Sequence, residues 1–161
     1  KIDYALLKFC YIDINENSDV DALFDYYRTT LDALKARHPD ITFIHVTSPL
    51  RHVEGGLGVW AREALGKPNR SKLANVKRQT FNERVLATYA GDPIFDLAAS
   101  ESTCPDGRRA SFTHNGKTYY SLIDAYTDDG GHLNTVGRKK VAADFLRSLG
   151  DAIRSKKNKS S

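Results

Sequence analysis

The chain has 161 residues, 40% hydrophobic and 27% charged, which is ordinary globular usage and enough to bury one core. Its formal charge of +4 is matched by Arg154, Lys156, Lys157 and Lys159 near the C-terminus, so the rest offers no basic face for nucleic acid; Arg78, Arg84, Arg108 and Arg109 are scattered among acids. No apolar run is long enough for membrane insertion, and Cys10 and Cys104 fit no metal or redox spacing, leaving one disulfide or two free thiols.

Methionine is absent, and Lys1-Ile2-Asp3 leads directly into an apolar run at residues 4–10, so the chain reads as cut from a longer one on its N-terminal side. That run predicts a strand buried on both faces. Asn17-Ser18-Asp19 offers caps for a helix whose apolar positions Val20, Leu23, Phe24, Tyr27, Leu31 and Leu34 follow the 3.6-residue period, up to His38-Pro39. Residues 41–46 form a second strand, stopped at Thr47-Ser48-Pro49. The glycine-rich Gly55-Gly56-Leu57-Gly58 comes next, with Trp60 in a short helix. A longer helix is expected from Ser71 to Tyr89, with Gly91 as its stop. Residues 93–97 predict a third strand, and residues 111–120 a hairpin turning at Asn115-Gly116. A last helix, capped by Asn134 or Thr135, is expected to be buried through Val141, Ala142, Phe145, Leu146, Leu149 and Ile153. Strands separated by helices argue a parallel sheet covered on both faces, with chemistry at the C-terminal strand ends.

The stretch Asp129-Gly130-Gly131-His132-Leu133-Asn134 sets a carboxylate three residues ahead of an imidazole in a glycine-loosened loop before that helix. A catalytic imidazole needs an orienting carboxylate within hydrogen-bond reach. The alternative is a helix-entry loop in which Asp and Asn cap backbone N–H groups and His132 is a solvated surface residue. With Thr127 and Asp128 ahead and Thr135-Val136-Gly137 behind, the stretch resembles the last motif block of the SGNH (GDSL-type) hydrolases, which carries their catalytic Asp and His.

That resemblance implies a flavodoxin-like, three-layer α/β fold with a parallel sheet in the spatial order 2-1-3-4-5. In the family the nucleophilic Ser follows the first strand, an oxyanion Gly the second, and a Gly-x-Asn-Asp block the third. Phe9-Cys10-Tyr11-Ile12-Asp13 sits where the third block belongs and is similar to a divergent subgroup reading Phe-Cys-Tyr-x-Asp. It places Cys10 at the Gly, Ile12 at the Asn and Asp13 at the Asp. Similarity of layout runs from Tyr4 to Leu149. Residues 1–154 are then expected to be the C-terminal part of one SGNH-like domain, truncated at the N-terminus, and residues 155–161 a polar, basic, disordered tail.

The function implied by the resemblance is that of a serine esterase acting on carboxylic esters, including O-acetylated carbohydrates, with His132 as general base and Asp129 as its orienter. The Ser is expected on a missing upstream segment; Ser48, at a strand end but followed by Pro49, is the best substitute within the chain. Ile12 lacks a side-chain donor, so the oxyanion site would draw on the loop of Cys10, Tyr11 and Asp13. His52 and Trp60 are candidates for a substrate loop, and His45 for a packed core histidine. No cofactor or metal is required; Asp128, Asp129 and His132 as a cation site is a weaker reading. Without an upstream half the first strand would expose an edge, inviting self-association or capture of the missing segment. Neither nucleic acid nor membrane insertion is expected. The residues give no compartment; the resemblance is compatible with a soluble secreted or periplasmic protein. The competing reading is a non-catalytic SGNH-like module that binds a glycan or a protein through the same cleft.

Overall fold

The computed structural model describes residues 2–159, with side chains to Lys156. Three parallel strands, β1 (Tyr4–Leu7), β2 (Thr42–Val46) and β3 (Ile94–Phe95), lie in the order β1-β2-β3, with Tyr4 opposite Thr42 and His45 opposite Ile94. Among the described residues five α-helices accompany them: α1 (Val20–Arg37), α2 (Leu57–Ala64), α3 (Arg70–Thr88), α4 (Leu97–Ser102) and α5 (Thr135–Lys159). A hairpin of β4 (Ser111–His114) and β5 (Lys117–Tyr120) stands apart, and Asn115 and Gly116 both take positive φ in its turn, as a tight two-residue connection requires.

Alternation along β2 explains the layers. Phe43 packs towards α1 and α3 in a cluster built on Phe24, Tyr27, Leu31, Phe81 and Val85, while Ile44 and Val46 pack with Phe95 against Phe145 and Leu149 of α5. Each fully buried member of these clusters contributes about 1.5–3 kcal/mol, and Phe43, Phe145 and Leu149, which are partly buried, contribute less, so the two clusters hold helices on opposite sides of a small sheet. Caps fix where the helices begin. Asp19 accepts from Ala22 N at 3.0 Å and Asn69 from Lys72 N at 3.1 Å. A third cluster, Leu50, Ala98, Leu122, Ile123 and Tyr126, lies beyond the C-terminal strand ends and supports the loops there.

Several elements differ from the sequence reading. The first strand stops at Leu7 because the chain leaves the sheet to make a turn at Cys10–Asp13, where Asp13 N donates to Cys10 O at 3.1 Å. Nor is it buried on both faces: Leu6 and Leu7 are 50% and 48% exposed, since among the described residues β1 has β2 as its one neighbouring strand. Residues 97–102 are helical, with Asp96 capping Ala99 N, in place of a third strand running to 97 and a loop after it. The last helix continues past Ser155 to Lys159, in place of the disordered tail, and its Ala142 and Leu146 are exposed rather than buried, because Val141, Phe145 and Leu149 take the face towards the sheet; Ser160 and Ser161 lie outside the described residues. Both cysteines are free. Among the described residues no helix is long and apolar enough to cross a membrane.

Candidate active site

Because all three strands run the same way, the loops after β1 and β2 emerge at one edge of the sheet, and the loop at residues 127–134 meets them there. A bridge between Thr127 and Leu133 pinches the ends of this loop together. Inside it Gly130 has φ +77°, a left-handed conformation that glycine tolerates, and its N–H donates to Thr127 Oγ1 at 2.9 Å. The Asp129 carboxylate then turns inward. Its Oδ1 accepts from the backbone N–H of Gly131 at 2.8 Å and of His132 at 2.7 Å, and its Oδ2 lies 2.6 Å from His132 Nδ1.

These bonds hold the Asp129 carboxyl well below the usual carboxylate range, the His132 ring contributing most and the two backbone donors next. A carboxylate facing Nδ1 keeps the proton on that nitrogen and leaves Nε2 as the basic one. Asp129 does not cap α5. Asn134 does, its Oδ1 accepting from Val136 N at 3.0 Å and Gly137 N at 3.1 Å. The His132 side chain is 69% exposed.

Tyr11 forms one wall. Its ring meets His132 edge-on at 5.0 Å, and a Cβ added to Gly131 would stand 2.9 Å from its Cζ, so a side chain at 131 would push Tyr11 away. Arg51 lies over the same ring, its Cζ 5.3 Å from the centroid, and His52 N donates to Gly130 O at 2.9 Å. His52 also lines a cleft of about 710 Å³ that includes Arg51, Arg62, Lys67, Asp124, Asp128, Asp129 and Gly130. Trp60 is 68% exposed on α2 and takes no part in that lining, to which α2 contributes Val59, Arg62 and Glu63.

Cys10 and Asp13 are occupied by each other: Cys10 N donates to Asp13 Oδ2 at 2.6 Å. That N–H is therefore spent on the turn and is not aimed at a substrate oxyanion. Ser48 is fully buried, with its N–H and C=O both held by Asn82, which removes it as a nucleophile. His45 is buried, bonded at Nδ1 to Tyr27 Oη at 2.7 Å and stacked on Tyr89 at 3.8 Å; burial lowers its pKa. Among the described residues no group of three or more His, Cys, Asp and Glu side chains is placed to hold a metal.

Sequence reasoning missed the residues that hold this edge together. Asn75 and Arg78 on α3 are 0% and 2% exposed. Asn75 Oδ1 accepts from Arg51 N at 2.9 Å and Arg78 Nη1 at 2.8 Å, while its Nδ2 donates to Arg51 O at 2.7 Å and Tyr120 O at 3.2 Å. Arg78 Nη2 donates to Tyr11 O. One helix thereby pins both loops that face the dyad. Burial first, then the charge of Arg51, pulls the Arg78 pKa down to about 10. Glu101, also buried, accepts from Leu50 N; burial pushes its carboxyl up to about 8 despite that bond.

No protein-family model and no curated protein matches the sequence. Its fold is shared by solved structures, two of which are the following. One, from Streptococcus pneumonia and described as "a putative platelet activating factor", superposes with a TM-score of 0.59 at 15% identity, covering 91% of this chain and 59% of that one. The other, "a putative acylhydrolase" from Bacteroides fragilis, gives a TM-score of 0.58 at 19% identity, covering 92% of this chain and 62% of that one. At these identities the likeness is one of fold, a mixed α/β architecture with a parallel sheet, and this chain spans 59–62% of the length of the structures it matches.

Proposed function

We propose that this chain carries the His-Asp part of the triad of a serine-type, SGNH-like esterase that cleaves carboxylic esters, with O-acetyl groups on carbohydrates as a candidate substrate class. The observation that carries the reading is the Asp129–His132 bond of 2.6 Å in a loop braced by backbone donors, at the sheet edge where the Tyr11 loop emerges. His132 Nε2 accepts the serine proton as the hydroxyl attacks the ester carbon and returns it to the leaving alcohol; Asp129 holds the tautomer and stabilises the imidazolium. Fold likeness to a structure described as an acylhydrolase adds support.

The serine is proposed to come from a segment outside these 161 residues. In this reading a further strand and helix would pack on the outer edge of β1 and in an apolar hollow of about 430 Å³ beside it, lined by residues that include Leu6, Val46, Phe95, Leu133, Val141 and Phe145. A second reading, a non-catalytic module that binds through the same cleft, draws on Ile12, which has no donor to offer, and on the occupied N–H of Cys10. One experiment separates them. In a protein extended upstream to include a serine-bearing strand-loop unit, His132→Ala is expected to lower hydrolysis of a small acetyl ester about a thousandfold or more while leaving thermal stability nearly unchanged. Equal activity in both proteins refutes the esterase.

A further inference from the structure

The cleft beside the dyad is lined by five carboxylates, Glu54, Glu63, Asp124, Asp128 and Asp129. Each has a partner. Glu54 pairs with Arg62 at 3.5 Å and Glu63 with Lys72 at 3.0 Å; Asp124 lies 3.6 Å from His52 Nε2, Asp128 accepts from Asn134 Nδ2 at 3.2 Å, and Asp129 holds His132. Arg51 is different. Among the described residues no carboxylate lies within ion-pair reach of its guanidinium, whose one hydrogen bond is a long 3.5 Å contact from Nε to Gly130 O. Among the same residues both Nη groups are left without an acceptor while the flat group rests over the Tyr11 ring.

This arginine is also held in advance. Asn75, fully buried, grips its backbone N–H and C=O, and Leu122 N donates to the same carbonyl at 3.2 Å. The backbone from which its side chain extends is thereby fixed, which lowers the ordering needed when a ligand arrives. A guanidinium with its fork open, over the same Tyr11 ring that meets the His132 imidazole, can donate two N–H groups to two oxygens of a planar anion.

We infer that Arg51 anchors a carboxylate on the substrate, and that this substrate is a hydroxyl-rich acid of the sugar-acid class, esterified at a hydroxyl group. The inference rests on the esterase reading and names the substrate class of that site. Hydroxyls of such a ligand donate to the cleft carboxylates, which accept without needing a new cation. The lining also carries Arg62, paired with Glu54, and Lys67; against its five carboxylates a singly charged carboxylate still meets less repulsion than a phosphate dianion.

The test measures binding and needs no turnover. The 161-residue chain is titrated with sodium glucuronate, glucose and inorganic phosphate at constant ionic strength, following the Arg51 Nε–H and His132 ring signals by NMR. Glucuronate is expected to bind saturably and about tenfold or more tighter than glucose, with affinity falling as salt is raised. Arg51→Gln should lose about tenfold in glucuronate affinity, and Arg51→Lys should recover part of it, with the His132–Asp129 signals intact in both. Equal binding of glucose and glucuronate, an unaffected Arg51→Gln protein, or phosphate binding tighter than glucuronate would overturn the proposal. Failure of the esterase reading looks different: glucuronate then binds through Arg51, yet no ester is cleaved once the upstream segment is present.

Discussion

Asn75→Ala is the substitution that most directly asks whether α3 organises the site. It removes four hydrogen bonds, to Arg51 N, Arg51 O, Tyr120 O and Arg78 Nη1, all at or near a fully buried position. A buried group that loses its partner costs about 1–3 kcal/mol, and the alanine leaves a space in which water restores some of the four. The expected loss is therefore about 3–5 kcal/mol, a large part of the roughly 5–15 kcal/mol by which a domain of this kind is stable. Asn82→Ala supplies the scale: Asn82 makes two bonds, both to Ser48, on the same helix face, and should cost about half as much. Urea unfolding of both variants with the wild type gives the ratio, provided the slope stays constant. Hydrogen exchange adds the site: amides of the loops holding Arg51 and Tyr11 should lose protection in Asn75→Ala but not in Asn82→Ala. A loss below about 1 kcal/mol for Asn75→Ala, or one smaller than for Asn82→Ala, refutes the reasoning.

Three further outcomes are open to measurement. Gly131→Ala puts a Cβ 2.9 Å from Tyr11 Cζ; the ring is the outer end of a half-buried side chain and gives way, so stability should change by less than about 1 kcal/mol while the His132 ring signals move, and unmoved signals would count against Tyr11 as its wall. Glu101 binds its proton more tightly folded, at about 8, than at its ordinary 4.5, so the native state holds a proton that the unfolded chain has released and stability should fall as pH rises through that window; Glu101→Gln should flatten the dependence, and an unchanged pH profile refutes the assignment. The chain by itself should self-associate through the unpaired edge of β1, with Leu6→Lys weakening the association in sedimentation; a concentration-independent monomer argues against an edge that seeks a partner strand.

What the sequence discloses and what it withholds divide along the range of the forces involved. The ends of α1 and α3 are legible because Asp19 and Asn69 cap N–H groups three residues away and the apolar positions repeat every 3.6 residues. The Asp129–His132 pairing is legible for the same reason, since a single loop supplies both partners and the glycines that let the chain turn. The extent of β1 is not, because an apolar run continues through Phe9 and Cys10 whether or not a neighbouring strand is there to pair with them. Arg78 is the sharper case. It reads as one more surface cation, yet it is nearly inaccessible and reaches the carbonyl of Tyr11, 67 positions away. A mark was nonetheless present: Asn75, Arg78 and Asn82 fall at i, i+3 and i+7, on the face that also carries Phe81 and Val85. Polar groups repeating on the core side of a helix must be satisfied there, and backbone groups become available where parallel strands end and their ladder partners stop. Such a stripe therefore points to the C-terminal edge of the sheet, the place where ligands collect in open α/β folds, and ties the framework of α3 to the loops that present Tyr11, Arg51 and His132.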